Sequence, residues 1–175
     1  CRSRLSSMVQ GCETPLIEAQ VRRAPRVSYR MAQPAKLLEE PGTLAVFGFS
    51  ATAATSTDPR YLQVALDSFD APAPLEWWQV DAPVECGIED ALRWSAGGGW
   101  LFAAIELDEY AHGGTRATAK LAYESLHHFV AARGNQHVLR MWNYLGAINH
   151  GDGDAERYKH FCEGRGAGMG DFFAE

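Results

Sequence analysis

The sequence has no run of about 18 or more apolar residues, which excludes a membrane-spanning helix. It has no charged start followed by an apolar core and a cleavage site, so no signal peptide is read. Cysteine is scarce: Cys1, Cys12, Cys86 and Cys162 form neither a C-x-x-C pair nor a secreted disulfide pattern. Reduced thiols in a cytoplasmic protein are the simplest expectation. The six histidines give no H-E-x-x-H and no Cys/His zinc spacing. His127 and His128 are adjacent on an expected helix, so they point to different faces and do not readily share a metal. No G-x-G-x-x-G follows a strand, and Gly97–Gly99 reads as a hairpin turn rather than a phosphate cradle. Neither a metal nor a redox cofactor is therefore expected. Positive charge is also short, with a formal net charge of -6. The single basic cluster, Arg22, Arg23, Arg26 and Arg30, reads as solvated, so nucleic acid is not an expected partner.

What is present is an ordinary globular composition. The 175 residues suit one domain, and 46% hydrophobic with 22% charged residues is typical of a packed chain. Residues 1–40 form an irregular lead-in, with one short strand around Val27–Met31. Its first stretch, 1–14, lacks any period and is set aside as either native or appended. The folded domain is expected over 41–175. Thr43–Phe49 is a short apolar run rich in β-formers and reads as a buried strand. Tyr61–Leu66 and Leu75–Val80 follow as strands, and Ala91–Ser95 with Trp100–Leu107 flank the glycine turn as a hairpin. From Gly114 to Arg133 the period turns helical, with Thr118, Ala122, Leu126, Phe129 and Val130 as one apolar stripe. His137–Leu145 reads as a strand.

Asp154–Phe173 reads as a second helix whose apolar face carries Tyr158, Phe161, Cys162, Met169, Phe172 and Phe173. Its glycines each cost about 1 kcal/mol against alanine, so it needs tertiary packing or a tight approach to something else. The order of elements predicts an α+β fold: a mixed sheet with two helices packed on one face. The chain ends at Phe172-Phe173-Ala174-Glu175 without a closing strand, so more chain is expected to follow.

One segment carries more information than its periodicity. From Arg140 it reads RMWNYLGAIN, then a Gly/Asp turn, then ERYKHFCEGR. This pattern resembles the chorismatase family, whose members make hydroxybenzoate or dihydroxycyclohexadiene carboxylate from chorismate. A weaker match lies at Trp78–Glu85, and the resemblance covers roughly Leu44 to Glu175. It implies two related halves, each similar to the small trimeric chorismate-mutase-like (reactive-intermediate-deaminase-like) fold, with chorismate between them. It also implies a catalytic glutamate near the C-terminus of a second half that is absent here. The partners it implies are chorismate and that second half, on the same polypeptide or a separate chain; homo-oligomerisation is left open.

Cleaving the enol ether of chorismate to release pyruvate needs a proton on the enol carbon and cations for two carboxylates. Arg165 is the leading anchor: Tyr158, Cys162, Arg165 and Met169 step by four, three and four, which places it on the helix's apolar face. The alternative is that Arg165 pairs with a protein carboxylate or reaches water. Tyr158 would donate from the same face, or pack with its hydroxyl at the edge. Tyr144 and Asn143 sit at the end of the expected strand on opposite faces, and Asn143 and Asn149 also suit a turn-holding role. Cys162 reads as a small hydrophobe, and Trp142, Trp77 and Trp78 as core. Two functions remain: an enzyme releasing pyruvate from chorismate, or a non-catalytic binding module that needs the missing half.

Overall fold

The computed structural model describes residues 23–50, 56–66, 72–134 and 137–170. Its centre is strand β2, Thr43–Phe49, which is buried at six of seven positions. A strand lined by Leu44, Ala45, Val46 and Phe47 can hide this completely only if both of its faces are covered. Both are. α1 (Pro34–Leu38) lies on one face, while β1 (Arg26–Arg30), β3 (Tyr61–Val64) and β4 (Leu75–Gln79) are strands of β2's own sheet. β1, β4, β2 and β3 form a mixed four-stranded sheet in that order; only the β2–β3 pair is parallel. On the other side, β5 (Glu85–Glu89), β6 (Leu92–Gly97) and β7 (Trp100–Ile105) form an antiparallel meander.

The two faces of the first sheet are packed by different partners. Val46, Tyr61, Leu75 and Trp77 cluster with Leu37 and Leu38 of α1. The hydroxyl of Thr43 donates to the Leu37 carbonyl at 2.6 Å and accepts from the Trp77 indole at 2.9 Å, which fastens α1 to the sheet. The opposite face, with Ala45, Phe47 and Val64, packs on Phe102, Trp100 and Ala104 of β7. Phe47 and Phe102 meet edge to face at 5.6 Å. Across this seam the buried Ser95 hydroxyl donates to the Leu44 carbonyl. Arg93 donates to the Tyr61 carbonyl at 3.1 Å.

The outer face of the meander meets helix α2, Thr115–Ala132. Trp94 lies over Gly87, where an added Cβ would sit a tight 3.2 Å from the indole, and its ring is 6.5 Å from that of Phe129. Arg133 stacks on Phe129 at 3.5 Å and Trp94 at 4.9 Å, and pairs with Glu89 at 2.6 Å. A 3₁₀ turn at Gly153–Ala155 leads into α3, Arg157–Met169, which lies along α2.

The α+β class expected from the sequence is observed, with strands at nearly the expected places. Several details differ. There are two sheets rather than one, and β5 and α1 are additional elements. α2 packs on the meander, whereas α3 packs on α2. The buried positions of α2 are Thr115, Ala119, Tyr123 and Phe129, so the expected stripe shares only Phe129 with them. Thr115, Ala119 and Tyr123 are buried because α3 crosses there. The buried positions of α3 are Gly164 and Gly168. A methyl at either would overlap the backbone of α2, at Arg116 or at Lys120. These glycines, read from sequence as weaknesses, permit the tight approach that holds the helix. Finally, 137–145 forms no ladder among the described residues. Phe172 and Phe173 lie outside those residues.

Candidate functional site

Past α2 the chain runs through 137–145 without forming a strand, and Trp142, Asn143 and Tyr144 send their side chains to alternate sides. Trp142 inserts between Phe47 (5.4 Å) and Trp78 (5.5 Å), and Tyr144 meets Phe49 edge-on at 6.5 Å. Asn143 points the other way, where its Oδ1 accepts from the Tyr123 hydroxyl at 2.8 Å. Tyr144 and Asn143 therefore do face opposite directions. The segment spends its side chains on two partners, the aromatic seam and α2. The guanidinium of Arg140 lies 4.8 Å over Trp142. Tyr144 is 44% exposed, and its phenol pKa is raised by desolvation and by the nearby Glu76 carboxylate, with Arg140 opposing. Glu76 itself is held by the Trp78 indole at 2.6 Å and the Tyr29 hydroxyl at 3.3 Å.

The turn after this segment is clamped by a residue not anticipated from sequence. Arg157 donates to Glu109 at 2.7 Å and to the Gly146 carbonyl at 3.1 Å, and Glu109 also accepts from Thr115 at 2.7 Å. The Arg157 Nε is buried without a hydrogen-bond partner. The Arg157 and Thr115 hydrogen bonds hold the Glu109 carboxyl below its usual range. An arginine in the first turn of a helix opposes the helix dipole. That mismatch is the signal by which the sequence could have disclosed a dedicated carboxylate partner.

Tyr158, Cys162 and Arg165 share one stripe of α3, as expected, but it is not the buried one. It is rotated by about one residue, roughly 100°, from the face that packs on α2 through Phe161, Gly164 and Gly168. Tyr158 and Arg165 are exposed and Cys162 half-buried. The Tyr158 phenol pKa is raised, first by its hydrogen bond with Cys162, and the Arg165 charge opposes that rise. Arg165 has no ion pair with a described carboxylate. The structure thus brings Tyr158 close to Arg165, and Tyr144 next to Asn143 in the chain. Among the described residues no hydrogen bond or ion pair joins these two groups.

Other candidates are quickly placed. His127 and His128 stack at 5.9 Å, and no cluster of three metal-ligating side chains occurs among the described residues. No described helix is long and apolar enough to cross a membrane. An open cleft of about 670 Å³ is lined by Arg26, Glu39, Glu40, Arg60 and Asp81 among others, and contains none of the residues above. Its arginines are already engaged, Arg26 with Asp81 at 3.3 Å and Arg60 with Asp58 at 2.7 Å.

The family model described as chorismatase FkbO/Hyg5-like, N-terminal, matches residues 76–175, which include 140–169 and helices α2 and α3. The chain belongs to this chorismatase family. A chorismatase of Streptomyces hygroscopicus is 33% identical over 100 residues, covering 55% of this chain and 28% of that protein. A 3-hydroxybenzoate synthase of the same organism is 33% identical over 91 residues, covering 51% of this chain and 26% of that protein. A crystal structure of a chorismatase matches with a TM-score of 0.71 at 22% identity, over 87% of this chain and 46% of that one. The last likeness establishes the chorismatase fold alone. The chain spans about a quarter of the length of these curated relatives.

Proposed function

We propose that the chain is the N-terminal domain of an enzyme that cleaves the enolpyruvyl ether of chorismate, giving pyruvate and a hydroxybenzoate or a dihydroxycyclohexadiene carboxylate. The family match over 76–175 carries this reading, because it contains the whole R-M-W-N-Y…E-R-Y-x-x-F-C-x-G-R segment. One relative is named for the hydroxybenzoate product. We read the α+β domain as chorismate-mutase-like and its setting as cytoplasmic.

Chorismate is a dianion, and its side chain leaves as pyruvate once a proton reaches the enol carbon. Addition of water then leaves the dihydroxycyclohexadiene acid, whereas loss of a ring proton leaves the hydroxybenzoate. The general acid comes from a second half, on the same polypeptide or a partner chain. This chain supplies substrate contacts. Arg165 holds a carboxylate with its planar fork, which is open because no described carboxylate occupies it. Tyr158 donates beside it. Tyr144 offers a phenol at the end of the aromatic seam. Asn143 has its carbonyl oxygen taken by Tyr123, so its amide group is left to donate.

The test is pyruvate release from chorismate, by this chain alone and by a polypeptide continued with a second half. Release by the continued protein only, abolished by Arg165→Ala, supports the reading. No release by either sinks it. The alternative is a non-catalytic binding module that needs a second half. It gains if this chain binds a carboxylate ligand while the continued protein turns nothing over.

A further inference from the structure

Arg140, Arg30 and Arg165 differ from the other arginines of the described residues. Arg23, Arg26, Arg60, Arg93, Arg116, Arg133 and Arg157 all pair with carboxylates. Arg140, Arg30 and Arg165 pair with no described carboxylate; Arg30 lies 6.0 Å from the Trp77 ring, and Arg140 lies closer to its own indole. The Arg140 guanidinium rests 4.8 Å over Trp142, and Trp142 is itself wedged between Phe47 and Trp78 of the core. Stacking on an indole uses the face of a guanidinium and none of its N–H groups. The N–H groups of Arg140 make no hydrogen bond with a described residue, so they remain open to a carboxylate. Trp142 and Tyr144 lie on one side of the segment, away from Asn143, and Arg140 lies against Trp142. The half-exposed Tyr144 phenol lies near enough for the Arg140 charge to act on it. The neighbouring negative charge, Glu76, is tied to Trp78 and Tyr29 and forms no ion pair with Arg140.

We propose that Arg140, stacked on Trp142 and flanked by Tyr144, binds the ring carboxylate of a planar hydroxy acid. Trp142 fixes the fork, the fork takes the carboxylate, and Tyr144 supplies a hydrogen bond at the rim. The choice of a ring acid rests on the proposed function; the cation on its aromatic shelf does not.

Calorimetric titration of this chain with 3-hydroxybenzoate, and with 3-hydroxybenzyl alcohol as the uncharged match, tests the site. The acid is expected to bind and the alcohol not. Arg140→Gln is expected to weaken the acid by about tenfold or more, the usual weight of a charged bidentate contact. Arg140→Lys, which keeps the charge and loses the fork, should fall between the two. Arg26→Gln, which removes an exposed arginine on β1, should match the wild type. Arg140 is exposed, so an unchanged urea midpoint for Arg140→Gln shows that the loss is not unfolding. Equal binding by Arg140→Gln and wild type overturns the proposal, as does equal binding of acid and alcohol or no binding by the wild type. If the continued protein still releases pyruvate in any of those cases, only this site has failed. If pyruvate is never released but Arg140→Gln loses the acid, the site stands and the proposed reaction has failed.

Discussion

The seam between the two sheets and the seam between α2 and α3 are built on opposite plans. The first is filled by large side chains: Phe47, Phe102, Trp78 and Trp142 meet ring to ring at 5.4 to 5.6 Å. The second is made by leaving side chains out, so that Gly164 and Gly168 rest on the backbone of α2. In the first, stability comes from apolar area removed from water. In the second, it comes from backbone proximity that a single methyl would end. An aromatic seam therefore suffers from subtraction and a glycine seam from addition.

That contrast is sharpest in truncation. Phe47→Ala should cost about 3–5 kcal/mol, the usual range for an aromatic removed from a close-packed core. It should also loosen Trp142, which urea denaturation and near-ultraviolet circular dichroism would show together. A loss under about 1 kcal/mol would mean that the seam refills, and the contrast would fail. Next comes Gly164→Ala. Its methyl meets the Arg116 carbonyl and the Ala119 side chain, so a loss of about 1–3 kcal/mol is expected despite alanine's better helix propensity. Gly166→Ala on the open side of the same helix has nothing within 4 Å, and should stabilise by up to about 1 kcal/mol. If both glycines respond alike, the tight approach is not what holds α3.

The smallest effect concerns the clamp at the base of α3. Glu109 has its carboxyl held below the ordinary value of 4.5. Its contribution to stability is therefore complete above that pH and is lost as pH falls through the lowered folded value. Glu109→Gln should flatten this acid limb in urea midpoints measured from pH 6 downward, leaving a smaller difference between neutral and acid midpoints. An unchanged limb would show that the pair with Arg157 adds nothing to folding.

The same contrast explains what was legible in the sequence. Apolar runs at 43–49, 61–64, 75–79 and 100–105 disclose strands because large side chains advertise burial. The helical period over 114–133 likewise disclosed α2. Glycine carries no hydropathy signal, so the packed face of α3 was read from Tyr158 and Cys162, about one residue around the helix from Gly164 and Gly168. Glu85–Glu89 passed unnoticed as β5 because its ends and middle are charged or small. α1 is too short, at five residues, to show a period. The alternation at 142–144 was real but served two partners without a ladder. Of the site, the motif was readable, and so was the shared stripe of Tyr158 and Arg165. The Arg157 clamp was not, because Glu109 lies 48 residues away and only the fold joins them.

The order of assembly follows from how the two sheets are wired. The meander β5–β6–β7 pairs each strand with its chain neighbour through short turns, so it closes fast and at little entropic cost. The mixed sheet is the reverse: β1 must wait for β4, with Arg26 meeting Gln79, and the parallel β3 must find β2 from across a crossover. On refolding of the whole chain the meander is thus expected to form first, and the strand at the centre of the protein to be among the last enclosed.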